Sequence, residues 1–100
     1  MNANQLRELI QQPDSIIIDV RETWEFQAGH VEGSFNMPLG EVPGRVKEFL
    51  DMQGPIILVC ASGNRSGMAA NFLSARGILK VFNGGGWHAV SSIQKAVKRA

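Results

Sequence analysis

Residues 56–66 read IILVCASGNRS, and the fold of the chain can be inferred outward from this segment. Its apolar run, Ile56 to Val59, predicts a buried strand that carries Cys60, the one cysteine of the sequence, to its carboxyl end. A short polar turn containing Gly63 follows, and then a pattern typical of a helix with one apolar face. That face consists of Met68, Ala69, Phe72 and Leu73. A strand, a turn and a helix in this order direct the positive end of the helix dipole at the thiol.

Cys60 is therefore a candidate nucleophile in an anion-binding loop. Loop N–H groups, the helix dipole and the nearby Arg65 all favour the thiolate, and such surroundings lower a cysteine pKa from about 8.5 toward roughly 3.5 to 7.5. The alternative is an inert cysteine that packs at a strand end like any small apolar residue. Such a residue needs neither an arginine nor a polar turn with Gly63, whereas an anion site needs both. The pattern therefore favours the nucleophile.

Composition narrows the range of partners. The chain has 100 residues and a formal net charge of +1, so we expect one domain over residues 1–100 that binds neither nucleic acid nor a membrane surface. Apolar runs are far shorter than the roughly 20 residues that cross a bilayer, and Met1 to Gln12 has no signal-peptide core. We therefore expect a cytoplasmic protein. The single cysteine excludes an intramolecular disulfide. His30 and His88 are far apart in sequence, and we expect neither a metal site nor a cofactor.

The rest of the chain alternates helical patterns with short apolar strands. Predicted helices cover Asn4–Gln11, Trp24–Ala28, the residues between Gly44 and Asp51, Ser66–Arg76 and a final segment from Trp87. Predicted strands cover Ser15–Val20, Ile56–Cys60 and Ile78–Phe82, with a short extended piece at Gly33–Pro38. Gly29 is suited to a left-handed helix cap, and Gly77 to a helix stop. The alternation implies a parallel sheet with helices on both faces, which brings Asp19, Cys60 and Asn83 to one rim.

Asp19 and Arg21 follow the first predicted strand and lie at the end of the sheet where open α/β folds bind ligands. We expect them to form a structural ion pair, with Glu22 or Glu25 across the turn as candidate partners, rather than to react.

Three ring side chains are interpreted as structural. We expect His30 to hold a loop by hydrogen bonds rather than to act as a general base. Trp24 and Trp87 are expected to pack in the core or at the rim.

A series of short motifs carries a resemblance to a known family. They are Asp19-Val20-Arg21, Glu25-Phe26, Gly29-His30-Val31, Gly33-Ser34, Asn36, Pro38-Leu39, residues 60–66, Ala69-Ala70 and Asn83-Gly84-Gly85. In this order, over roughly Ile16 to Trp87, they resemble the single-domain rhodanese family of thiosulfate sulfurtransferases. The resemblance implies an α/β fold with a four- or five-stranded, mainly parallel sheet, in which the strand leading to Cys60 is central.

The resemblance also implies an activity. Cys60 would accept a sulfane sulfur from a small sulfur-containing anion, either thiosulfate or a related persulfide, and carry it as a persulfide to a thiol, cyanide or a protein cysteine. The residues that would bind the substrate are Ala61, Ser62, Gly63, Asn64, Arg65 and Ser66. Arg65 favours an anionic donor, whereas Ala61 stands where some members carry a basic residue, which removes one positive charge.

Two alternatives stay open at this point. One is a cysteine-based phosphatase or arsenate reductase, but the loop between cysteine and arginine is longer in the phosphatases, and here Ser66 stands where their arginine would lie. The other is a protein-binding module that relays sulfur to a partner, which would have the same Cys60 and the same loop.

Overall fold

A four-stranded parallel sheet lies at the centre of the computed structural model, which describes residues 1–99. The strands are β1 Ile16–Asp19, β2 Phe35–Asn36, β3 Ile56–Cys60 and β4 Val81–Gly86. Their order across the sheet is β2-β1-β3-β4, and every neighbouring pair is parallel. The predicted α/β fold is therefore confirmed with four strands, and β3, which ends at Cys60, lies inside the sheet.

Helices connect these strands. They are α1 Ala3–Gln11, α2 Thr23–Ala28, a 3-10 segment Leu39–Arg45, α3 Val46–Leu50, α4 Asn64–Ala75 and α5 Trp87–Arg99. The amino end of α1 is capped by Asn2, whose side chain accepts a hydrogen bond from the Gln5 amide. Pro43 lies in the 3-10 segment, and the regular helix begins only at Val46, as its pattern predicted. Among residues 1–99, no helix is both long enough and apolar enough to span a bilayer.

The five buried residues of β3 explain why helices cover both faces of the sheet. Side chains alternate between the faces of a strand. One core cluster contains Ile56, Leu58 and Cys60 together with side chains from α3 and α4. The other contains Ile57 and Val59 together with side chains from α1 and α5. A strand that is apolar at every position is thus stable only between two helical layers.

The last strand differs from its prediction. We expected a strand at Ile78–Phe82 that ends before the glycines, but β4 begins at Val81 and continues to Gly86. Glycines carry no side chain that would mark a strand, yet their backbone still pairs with β3. At Gly84 the two strands approach so closely that a Cβ atom would lie 2.7 Å from Cγ2 of Ile57. Leu58 pairs with Asn83 and Val59 with Gly85, so Gly84 is the extra residue of a bulge, and Gly85 beside it has a φ of 85°.

Helix α4 also departs from the predicted pattern in two respects. It begins at Asn64 rather than Ser66, so the turn after Cys60 is shorter than expected. Its buried residues are Ser66, Ala69, Ala70 and Leu73, whereas Met68 is 62% exposed. Gly77 has a φ of 89° and ends the helix as predicted.

A buried ion pair between Asp19 and Arg21 links three elements below the rim. The Arg21 amide and guanidinium donate to the Asp19 carboxylate at 2.7 to 3.0 Å, and both side chains are almost fully buried. Nη2 of Arg21 also donates to the carbonyl of Gly29 at 2.7 Å, and its guanidinium lies 4.7 Å from the centre of the Trp87 ring. The predicted structural pair is present, but Asp19 and Arg21 bind each other and not Glu22 or Glu25.

The left-handed cap expected at Gly29 is wrong, because its φ of 159° and ψ of 140° are not those of a left-handed helix.

Removal of the Asp19 carboxylate would leave a buried guanidinium without its counter-ion. We expect Asp19→Ala to lower the free energy of unfolding by about 3 to 5 kcal/mol, measured by urea unfolding. The matched control is Arg45→Ala, which breaks exposed ion pairs with Glu41 and Glu48 and should cost under about 1 kcal/mol. Equal losses in the two variants would contradict a structural role for the buried pair.

Candidate active site

Cys60 lies at the carboxyl end of β3 and is 1% exposed. Its position is determined on both sides, because β3 pairs with β1 and β4 through backbone hydrogen bonds and Cys60 itself lies opposite Gly86. The turn after it, residues 61–63, leads directly into α4. The sulfur therefore lies between the end of a central strand and the start of a helix.

Backbone amides surround the sulfur of Cys60. The N–H of Gly63 donates to Sγ at 3.0 Å and the N–H of Ser66 at 3.4 Å. Gly63 has a φ of 96°, a left-handed conformation that suits glycine and that turns the chain so that its amide faces back to the thiol. Because α4 also begins at this point, the positive end of its dipole adds to the field of the two amides.

The Ser66 side chain extends the contacts of the sulfur toward β4. Its Oγ lies 3.3 Å from Sγ of Cys60 and donates to Oδ1 of Asn83 at 2.7 Å. Asn83 in turn donates from Nδ2 to the carbonyl of Gly63 at 3.1 Å and accepts from the amide of Gly85 at 3.0 Å. One asparagine on β4 thus holds both the turn and the first turn of α4.

Burial and hydrogen bonding act in opposite directions on the Cys60 thiol. Burial raises the pKa of Cys60, but hydrogen bonds with the side chain and amide of Ser66 and with the amides of Ser62 and Gly63 lower it, and the net pKa lies below its ordinary value. The site therefore favours the thiolate, which is the nucleophilic form of cysteine.

Arg65 is paired with Glu25, which the sequence analysis had named as a candidate partner for Asp19 and Arg21. Its Nη1 and Nη2 donate to the two carboxylate oxygens of Glu25 at 2.7 and 3.1 Å. The hydrogen bonds from Arg65 and from the Glu22 amide lower the pKa of Glu25 to about 2. The charge of Arg65 is thus matched by a carboxylate of α2, although its side chain is 34% exposed and accessible to a ligand.

The structure separates the six predicted loop residues into three groups. Gly63 and Ser66 contact the sulfur directly. The side chains of Ala61, Ser62 and Asn64 are exposed on the outer surface of the turn and the start of α4, although the backbone amide of Ser62 faces the sulfur. Arg65 lies in the first turn of α4 and binds Glu25 rather than the thiol.

Two contributors to the site were not identified from the sequence. Glu25 lies 40 positions before Arg65, and Asn83 lies 17 positions after Ser66. The sequence analysis placed Asn83 on the rim and named Glu25 as a candidate partner for the Asp19 and Arg21 pair, but it assigned neither residue a partner in the loop.

The ring side chains take different positions. Nδ1 of His30 lies 2.8 Å from the carbonyl oxygen of Phe26, and its ring stacks on Phe26 with centroids 3.8 Å apart, which agrees with the expected structural role. Trp87 packs against the α1 and α5 side of the core. Trp24 is 73% exposed, so of the two places expected for it, the core or the rim, the core is wrong.

Comparison with known proteins points to one family. The sequence profile of the rhodanese-like domain family matches residues 2–92. Thiosulfate sulfurtransferase GlpE of Tolumonas auensis is 31% identical over 94 residues, which cover 90% of this chain and 88% of that enzyme. YrkF of Bacillus subtilis, described as a candidate sulfur carrier protein, is 43% identical over 67 residues. These cover 67% of this chain but 36% of YrkF, so the chain spans about a third of that relative.

A solved structure shares the fold. A rhodanese with anions from Escherichia coli superimposes with a TM-score of 0.68 and is 36% identical in sequence. The match covers 75% of this chain and 89% of that one.

The depressed pKa of Glu25 predicts how stability depends on pH. Folding lowers the pKa of this carboxyl from its ordinary 4.5 to about 2, so its contribution is fully present above about pH 4.5 and is lost as the pH falls toward 2. We expect Glu25→Gln to reduce the acid-induced fall in unfolding free energy over this range, measured by urea unfolding at a series of pH values. Glu8→Gln, at an exposed position of α1, is the control. An unchanged acid slope in Glu25→Gln would show that the ion pair adds no stability.

Proposed function

Because this chain belongs to the rhodanese-like domain family, we propose that it is a sulfurtransferase that carries a sulfane sulfur as a persulfide on Cys60. The observation that carries the proposal is the convergence of the Gly63 and Ser66 amides on one buried sulfur atom. Amides that point at a sulfur stabilise a thiolate before the reaction and a charged persulfide after it. The similarity to thiosulfate sulfurtransferase GlpE supports the same reaction class.

In the first step, the Cys60 thiolate attacks the outer sulfur of the donor. A bond forms between Sγ and that sulfur, while the bond within the donor breaks and its electron pair leaves on sulfite, or on a thiolate if the donor is a persulfide. No proton has to move if the thiol is already ionised. The negative charge ends on the outer sulfur of the Cys60 persulfide, near the loop amides.

In the second step, an acceptor attacks the outer sulfur of the persulfide. Cyanide, a small thiol or a protein cysteine forms the new bond to sulfur, and the Cys60 thiolate leaves with the electron pair of the broken bond. The amides that stabilised the thiolate at the start stabilise it again as a leaving group. The cycle requires no electron donor beyond the substrates.

The charges of the loop bear on the choice of donor. Arg65 is the cation of the loop, and Glu25 binds two of its nitrogen atoms. Ala61 adds no charge beside it. A dianion such as thiosulfate therefore competes with Glu25 for the guanidinium, whereas a singly charged persulfide requires less positive charge. Both donors fit the proposed reaction, and they should differ in their dependence on Glu25.

A sulfur relay is a second candidate, supported by the similarity to the candidate sulfur carrier YrkF. A relay uses the same first step and differs in the acceptor, which would be the cysteine of a partner protein. Loaded protein that passes its sulfur to a protein thiol but not to cyanide would favour the relay.

The proposed Cys60 persulfide can be detected by its mass. After incubation with thiosulfate, we expect intact mass spectrometry of the wild-type protein to show the added mass of one sulfur atom, which cyanide then removes. Cys60→Ser should gain no mass and show no transfer while keeping its circular dichroism spectrum, because an alcohol at this position is not ionised. Wild-type turnover in Cys60→Ser would refute the assignment. Hydrolysis of an aryl phosphate in place of sulfur loading would instead favour the phosphatase alternative.

Arg65 and Glu25 should affect thiosulfate turnover in opposite directions. We expect Arg65→Ala to lower kcat/KM for thiosulfate by about 10²- to 10³-fold, the usual effect of removing one donor that stabilises developing charge. Glu25→Gln, the matched variant, leaves the guanidinium in place without its competing carboxylate and should raise kcat/KM. A loss smaller than about twofold in Arg65→Ala would show that Arg65 is incidental to the reaction.

A further inference from the structure

Two backbone groups determine the orientation of the Asn83 side-chain amide. The carbonyl of Gly63 can only accept a hydrogen bond, so the atom 3.1 Å from it must be the NH₂ group. The amide of Gly85 can only donate, so the atom 3.0 Å from it must be the oxygen. Since these contacts agree, the oxygen of Asn83 is the atom that faces Ser66.

This orientation determines where the proton of Ser66 lies. A serine hydroxyl has one proton, and Oδ1 of Asn83 is an acceptor without a proton of its own. The Ser66 hydroxyl therefore donates to Asn83 at 2.7 Å and presents lone pairs to Sγ of Cys60 at 3.3 Å. A thiol suits this arrangement because its S–H donates to the lone pairs, whereas a thiolate would be repelled by them.

We propose that Asn83 is a positioning residue that forms a hydroxyl switch with Ser66, coupled to the charge on Cys60. While Cys60 is a thiol, the hydroxyl of Ser66 points to Asn83. When Cys60 is a thiolate, the hydroxyl turns to donate to Sγ, and Oδ1 of Asn83 keeps only the amide of Gly85. Ser66 is completely buried and Cys60 is 1% exposed, so water does not replace the contact between the hydroxyl and Sγ, whereas the Asn83 side chain is itself exposed.

The role of the switch in catalysis rests on the proposed function, because the hydroxyl would turn at each step of the sulfur-transfer cycle. Once sulfur is loaded, the charge lies on the outer sulfur and Sγ is neutral, so the hydroxyl returns to Asn83. When the persulfide is cleaved and charge reappears on Sγ, the hydroxyl turns back. Oδ1 of Asn83 and the leaving thiolate thus compete for the one hydrogen bond that the Ser66 hydroxyl can donate. This competition limits how far the Cys60 thiolate is stabilised and so keeps it reactive.

Charged groups on the neighbouring elements act on Cys60 independently of the switch. Arg65 on α4 attracts the thiolate, and its own charge is matched by Glu25 on α2. At the end of β1, Asp19 and Arg21 neutralise each other. Strand β4, with the sequence VFNGGG, contains no charged residue, and His88 at the start of α5 is exposed. The side chains of Ser66 and Asn83 make their hydrogen bonds to Cys60, Gly63, Gly85 and each other and to none of these charged groups, so a cycle of mutations at the two residues separates the switch from them.

The test is a double-mutant cycle on the ionisation of Cys60. The pH dependence of alkylation by iodoacetamide is measured for the wild type, Ser66→Ala, Asn83→Ala and the double variant. With Asn83 absent, the hydroxyl of Ser66 has only Sγ to donate to. In the presence of Ser66, Asn83→Ala should therefore lower the apparent pKa of Cys60 by about 0.4 to 1 pH unit more than in its absence.

A purely structural role for Asn83 predicts a different result. Loosening of the Gly63 turn would raise the apparent pKa, and by the same amount whether or not Ser66 is present. An equal shift in both backgrounds would overturn the proposal. Asn83→Val, which suits a strand better than alanine, replaces Asn83→Ala if the latter does not fold. Asn36→Ala is the matched control, because its amide donates to the carbonyls of Asp19 and Arg21 and has no contact with Ser66.

The cycle is independent of sulfur transfer. Iodoacetamide reacts with the Cys60 thiolate whether or not the protein accepts sulfur from a donor, so a failed loading experiment would refute the proposed function and leave the switch standing. Conversely, equal shifts in the cycle would remove the switch without affecting the evidence for a persulfide.

Discussion

Backbone amides that converge on one buried sulfur atom are the constraint to which the rest of this structure is adapted. Cys60 is 1% exposed, so a charge on its sulfur must be stabilised by fixed protein dipoles rather than by water. The amides of Gly63 and Ser66 can serve only if the strand before them and the helix after them are rigid. A central strand packed on both faces and a helix that begins at Asn64 meet this requirement. In the proposed persulfide cycle, such dipoles would need no reorganisation as charge moved from Sγ to an outer sulfur and back.

Two ion pairs near this rim differ in burial, and the difference assigns them different tasks. Asp19 and Arg21 are closed off from solvent and join the end of β1 to the end of α2 and the Trp87 ring. They are too deep to exchange partners with a ligand. Glu25 and Arg65 are partly exposed and lie at the turn itself. An ion pair in this position can open toward an anion, so the same arginine can be neutralised at rest and available to a substrate.

Local patterns predicted most of the fold, and the exceptions share a cause. Runs such as Ile56 to Val59 identify strands because apolar side chains must be buried, and the alternation of strands and helices then implies a parallel sheet. Strand β4 was misplaced because Gly85 and Gly86 pair with β3 through their backbone alone, which leaves no side-chain pattern to detect. Met68 was assigned to the buried face of α4, but that face includes Ser66, Ala69 and Ala70 beside Leu73, and these small residues let the helix lie close to the sheet.

Local sequence patterns were enough to predict the order of the elements, the position of Cys60 at the end of a buried strand and the polar turn that follows it. These features depend on neighbouring residues and on burial, both of which can be read locally. The side chains that complete the site were identified from the three-dimensional arrangement. Glu25 binds Arg65 across 40 positions, and Asn83 binds Ser66 across 17. Hydrogen bonds of this kind depend on strand register and helix placement to within a few tenths of an ångström, and a one-dimensional pattern does not contain those distances.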